Sequence, residues 1–152
     1  MMKSLKFKIL VFVLAGFLYS CDSAYDISMK FDHEVPSYKL LTDSLIVSPG
    51  QNVAIKVEVS DNEGLAELVF SYGEWNIMES LSDALRELSF PKSFTFETSI
   101  IIPDDARKEW IEDLERNDGS IIKIVQNYHK LNLAATDINL NVRNIPIFIR
   151  VQ

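Results

Sequence analysis

Only one cysteine, Cys21, occurs in the 152 residues, so no intramolecular disulfide can form and no thiolate zinc cage can be assembled. Histidine is almost as scarce. His33 and His129 belong to no HExxH pattern and have no Cys partner, which removes the common zinc-hydrolase arrangements. The chain has no GxSxG nucleophile elbow and no glycine-rich loop that could cradle phosphate. Long repeats and low-complexity tracts are also missing. The carboxylates Glu109, Glu112, Asp113 and Glu115 crowd one short stretch, where a solvated acidic face is the simpler reading than an acid/base pair. These absences point away from catalysis, and a non-enzymatic protein is expected.

What is present begins with an address. Residues 1–8 carry Lys3, Lys6 and Lys8 and no acid, residues 9–18 are apolar or small, and Leu18-Tyr19-Ser20-Cys21 closes the run. A basic start, a short hydrophobic segment and a small residue before the cut are the parts of a secretory signal. The apolar run is too short to cross a bilayer as a helix. The placement of Cys21 resembles the lipobox of bacterial lipoproteins, with Tyr19 where a small or aliphatic residue is usual. That resemblance implies a diacylglyceryl group on Cys21, removal of residues 1–20, and a lipid-anchored envelope protein, expected at the outer membrane. Asp22 and Asp26 follow closely. In lipoproteins of the Bacteroidota type an acidic cluster there accompanies surface export, whereas in other bacteria Asp directly after the Cys favours inner-membrane retention, so the membrane face stays open.

Removing residues 1–20 takes away three lysines and no acid, leaving 132 residues with 12 basic against 22 acidic side chains, a charge of −10. Such a chain repels nucleic acid phosphates and anionic headgroups alike, so no nucleic-acid partner is expected and acyl chains must do the anchoring. The acidity also serves solubility. The remaining length suffices for one domain with a real core.

Residues 21–37 are polar and unpatterned and read as a tether, with the globular part at 38–152. Val53, Ile55, Val57 and Val59 alternate with Ala54, Lys56, Glu58 and Ser60, the period of a strand with one buried face. Asp61-Asn62-Glu63-Gly64 makes a turn, residues 65–72 a second strand, and Phe94, Phe96, Thr98 and Ile100 a third that Pro103 ends. Leu131, Leu133 and Ala135 alternate again, as do Ile145, Ile147, Ile149 and Val151, where Pro146 suggests an edge or a strand start. Two stretches read instead as short helices in an insert at about 79–116. Leu81, Leu85 and Leu88 have helical spacing, and residues 104–116 start after Pro103 with acids and place Ala106, Trp110 and Leu114 on one face. The whole predicts a mainly β protein, an antiparallel β-sandwich with short helical insertions.

The run Ile55-Lys56-Val57-Glu58-Val59-Ser60-Asp61-Asn62-Glu63-Gly64-Leu65, with Leu131-Asn132-Leu133-Ala134-Ala135-Thr136-Asp137, resembles bacterial immunoglobulin-like domains. Single-domain Bacteroidota lipoproteins of unknown function are the nearest type. The resemblance covers residues 45–72 and 128–152. The familiar Gly-Asn turn after the Asp is replaced here by Ile138-Asn139-Leu140-Asn141. Immunoglobulin order would put the Asp61 and Asp137 loops at one end of the sandwich, so Asp61, Glu63, Asp137 and Asn139, with Asn62 and Asn141, become candidate calcium ligands. Asp, Asn and Glu are equally the ordinary material of turns. Tyr72, Trp75 and Trp110, near the ends of the insert together with Tyr128, are candidate ligand-binding rings, and the same residues could simply cover the core. The expected function is therefore a membrane-tethered binding module for a glycan or an envelope protein. A pilus or secretion assembly component is the alternative. Fimbrial lipoproteins are processed at an Arg, and the first Arg here, Arg86, lies well inside the domain.

Overall fold

A computed structural model describes residues 32–42 and 45–152, all within one compact unit, Asp32–Gln152. The signal segment, Cys21 and most of the tether lie outside the described residues. Among the described residues no helix is long and apolar enough to cross a membrane.

The protein is mainly β, built from antiparallel sheets. In chain order the strands are β1 (Ser37–Leu40), β2 (Leu45–Val47), β3 (Asn52–Ser60), β4 (Leu65–Tyr72), β5 (Ile77–Ser80), β6 (Ser93–Ile101), β7 (Trp110–Glu115), β8 (Ile121–Gln126), β9 (His129–Asp137) and β10 (Val142–Val151). One helix, α1 (Ser82–Glu87), lies between β5 and β6, and a 3₁₀ turn, Gly73–Trp75, links β4 to β5. The first sheet has the order β1-β3-β6 and the second β2-β10-β9-β4-β5, in which only β2 and β10 run parallel; β7 and β8 form a separate hairpin.

Period-two alternation places the core. Ile55, Val57 and Val59 of β3 are fully buried, as are Leu131, Leu133 and Ala135 of β9 and Ile145 and Ile149 of β10. The two large sheets face each other across this layer, and Phe70 of β4 meets Phe96 of β6 with ring centroids 5.4 Å apart. In β4 the alternation breaks: Leu65 and Leu68 are both buried although three apart, because the register with β9 shifts between Leu65 and Glu67. A bulge of this kind turns the next side chain back to the core. Pro146 sits inside β10, where β2 reaches only Ile149–Val151, so one side of β10 is unpaired at the residue that has no N–H to give.

The helical stripe at Leu81 and Leu85 is realised in α1, with Leu85 fully buried and Leu88 left outside. The helix expected over residues 104–116 does not form. Trp110–Glu115 is strand β7, paired antiparallel with β8 from Trp110↔Gln126 to Glu115↔Ile121. The turn between them has Gly119 at φ +79°, with the Asp118 carboxylate accepting the Ser120 N–H at 2.9 Å. Pairing with the β-branched run Ile121, Ile122, Ile124 and Val125 overrides the local helical spacing.

Residues 32–37, read from the sequence as the end of the tether, are held against the domain. Asn141 Nδ2 donates to the Asp32 carbonyl at 3.0 Å, Arg143 Nε donates to the Pro36 carbonyl at 3.1 Å, and Pro36 is buried.

Candidate functional site

Strand β9 links the two groups of candidate residues. It begins at His129 and ends at Asp137, so its ends are roughly 27 Å apart at an ordinary strand rise. Tyr72, at the end of β4, lies alongside the start of β9, and the 3₁₀ turn that follows carries Glu74 and Trp75 to the same place. From the other side, the loop after β6 brings Arg107, and the first residue of β7 brings Trp110.

His129 is the centre of this cluster and is 1% exposed. Its ring lies 4.6 Å from the Trp75 ring and 5.0 Å from that of Trp110, both tilted; the Tyr72 ring stands edge-on to the His129 ring at 5.7 Å and edge-on to the Trp75 ring at 5.0 Å. The Arg107 guanidinium lies over the Trp110 ring at 4.7 Å and pairs with the Glu74 carboxylate. His129 Nε2 is 2.7 Å from the Arg107 carbonyl, which can only accept, so that nitrogen carries a proton. In the neutral ring Nδ1 is then an acceptor, 2.7 Å from the Tyr72 hydroxyl, and Glu74 Oε2, 2.5 Å from the same hydroxyl, competes for its proton.

Burial lowers the His129 pKa, and the Arg107 charge works in the same direction against the hydrogen bond to the Arg107 carbonyl, which raises it. Because Glu74 is already neutralised by Arg107, a proton on His129 would be a net buried charge. Burial likewise raises the Tyr72 pKa, with Arg107 opposing, so the phenol stays protonated at neutral pH. The consequence for stability has a definite sign. Unfolded His129 takes a proton near its ordinary value of 6.5, whereas folded His129 resists it, so the stabilisation is complete above about pH 6.5 and falls as pH drops below that. The melting temperature of the wild type should therefore decline between pH 7 and 5 more steeply than that of His129→Gln, and parallel slopes would contradict the neutral, buried imidazole.

Two concavities flank the Glu74–Arg107 pair. One, of 420 Å³, is lined by Trp75, Asn76, Pro103, Asp105 and Ala106 with the pair itself. The other, of 540 Å³, is lined by Tyr72, Trp110, Gln126, Tyr128, Lys130 and Phe148 among others, again with the pair. Tyr128 and Phe148 are 45% and 52% exposed, so this groove offers uncovered aromatic surface.

No known family model matches the chain, and no curated protein matches it either. The geometry alone carries the reading.

The three aromatic residues singled out in the sequence, Tyr72, Trp75 and Trp110, are thus brought together. His129, Glu74 and Arg107 were not anticipated. A lone histidine opening an alternating strand carried no signal of its own.

At the other end of β9 the structure brings Asp61 and Asp137 together and adds Asp32: one carboxylate oxygen from each lies within 4.8 Å of the others. Glu63 and Asn139 take part through their backbones. The Glu63 N–H donates to Asp61 Oδ1 at 2.9 Å and the Asn139 N–H to Asp137 Oδ1 at 2.8 Å, while both side chains are exposed. Gly64 closes this turn at φ +143°, where an added Cβ would stand 2.6 Å from the Phe90 carbonyl oxygen, so only glycine fits.

Proposed function

We propose that this chain is a lipid-anchored, non-enzymatic binding module of the bacterial envelope, and that it takes a glycan at the Tyr72–Trp75–Trp110 end. The observation that carries the reading is the pair of tryptophans braced on one buried histidine, each partly exposed and each lining a concavity beside the Glu74–Arg107 pair. Rings held this way offer rigid apolar surface for the C–H face of a sugar, and the carboxylate and guanidinium offer acceptors and donors for its hydroxyls. His129 is buried with both ring nitrogens engaged, which suits a brace better than a proton-transfer group.

The strand order supports an immunoglobulin-like β-sandwich. β10-β9-β4-β5 corresponds to the G-F-C-C′ sheet of such domains and β1-β3-β6 to A-B-E, with the β7–β8 hairpin inserted between E and F. The described chain enters beside Asp137 and Asn141, at the end of β9 away from His129.

A protein partner is the second reading, and the hairpin favours it. Among the described residues β7 and β8 pair with no other strand, and Ile111, Ile121 and Val125 are each about two-thirds exposed. An array of envelope and plant polysaccharides separates the two. The glycan reading expects the wild type to retain at least one sugar class and Trp75→Ala, folded by its melting curve, to lose it. A wild type that retains none would leave the hairpin and its protein partner.

A further inference from the structure

We infer that Asp32, Asp61 and Asp137 form a divalent-cation site of calcium type that clips the N-terminal lead of the domain to the turn before its last strand. One oxygen from each of these three carboxylates, which come from distant parts of the chain, lies within 4.8 Å of the others, where ionised groups repel. Backbone N–H groups and one amide occupy only part of the set. Asp61 Oδ1 accepts from Glu63 and Gly64, both at 2.9 Å, Asp137 Oδ1 accepts from Asn139 and Asn141, both at 2.8 Å, and Asp137 Oδ2 accepts from Asn141 Nδ2 at 2.8 Å.

The independent observation is what remains. Asp61 is 9% exposed and Asp137 is fully buried, yet Asp61 Oδ2 is out of contact with solvent and has no hydrogen-bond partner; Asp32 Oδ2 is in the same condition. A buried carboxylate oxygen left without a donor costs a large part of its hydration energy, and a bound cation removes that cost for both residues at once. The donor set is oxygen only, which selects a hard cation, and it includes no imidazole or thiolate. Two oxygens bound to one Ca²⁺ at roughly 2.4 Å can stand up to about 4.8 Å apart, so the spacing accommodates one ion. The hydrogen bonds already made by Asp61 and Asp137 fix those carboxylates in place, as outer partners of metal ligands do. A depression of 300 Å³ lined by Glu34, Ser60, Asp61 and Asn62 opens beside Asp61.

The role follows from where the three residues sit. Asp61 and Asp137 belong to two turns already packed together, the Ile138 N–H donating to the Gly64 carbonyl at 3.0 Å. Asp32 is the added member, and it belongs to the lead that precedes β1. A cation shared among them would fasten that lead to the two turns, independently of any ligand at the aromatic end.

The test uses the full chain in detergent, stripped with EGTA and titrated calorimetrically with CaCl₂ or MgCl₂, with melting followed in parallel. The wild type should bind one Ca²⁺ and melt higher in its presence, by mass action. Asp32→Asn should melt above the stripped wild type in EGTA, because one of the repelling charges is gone, yet bind Ca²⁺ more weakly by about tenfold or more, because one charged ligand is lost. Asp61→Asn should weaken binding similarly. A wild type indifferent to Ca²⁺ overturns the site, and so does an Asp32→Asn chain that binds as the wild type does. Equal response to Mg²⁺ overturns the calcium assignment. Stabilisation by mild acid in place of Ca²⁺ would mean that the carboxylates share a proton instead. Loss of glycan binding plays no part in these readouts, so the two proposals fail separately.

Discussion

Val57→Asp should leave the domain unfolded at room temperature. Val57 is fully buried in the middle strand of its sheet, opposite Phe96 on one side and Leu40 on the other. A carboxylate there would lose its hydration with no cation or donor to replace it, and burial of an unpaired charge belongs to the mechanisms that cost about 4 kcal/mol or more. Domains of this size hold only about 5–15 kcal/mol of stability in total. Ala54→Asp, on the exposed face of the same strand, is the control and should shift stability by no more than about 0.5 kcal/mol. Circular dichroism and urea titration of the pair separate the two faces. Equal midpoints would mean that β3 faces the other way.

Cys21→Ser should leave the protein unlipidated. Only a thiol takes the diacylglyceryl group proposed for Cys21, and residues 21–152, with a charge of −10, favour no binding to anionic lipid. Each buried methylene contributes about 0.8 kcal/mol, so two or three acyl chains anchor a protein stably on a bilayer. Metabolic palmitate should label the wild type and miss the variant, with globomycin causing precursor to accumulate only in the former. Both chains should melt alike. A wild type that takes up no palmitate would remove the anchor from the account.

The strands were legible because period two survives in the sequence wherever one face is buried and the other wet, as in Val53–Val59 and Leu131–Ala135. The hairpin was misread for the converse reason. Ala106, Trp110 and Leu114 satisfy a helical spacing locally, and only pairing with residues 121–126 decides the matter. The signal that could have found it is Asp118-Gly119 followed by an isoleucine-rich run. At the sites, residue type was legible and company was not. Tyr72, Trp75 and Trp110 stood out as aromatic, and Asp61 and Asp137 as turn carboxylates. His129, Glu74 and Arg107 join the first group only once β4 lies beside β9 and the loop after β6 folds over them. Asp32 joins the second from a segment whose polarity gave no reason to expect docking.

The decisive question is whether the braced tryptophans bind sugar. Its most direct test is calorimetric titration of wild type, Trp75→Ala and Trp110→Ala with the oligosaccharide that the array selects, at matched fold by melting. Loss of a stacking ring should weaken binding by about tenfold, in keeping with roughly 1–1.5 kcal/mol for such a contact. An affinity unchanged in both variants would place the sugar elsewhere on the domain and contradict the site.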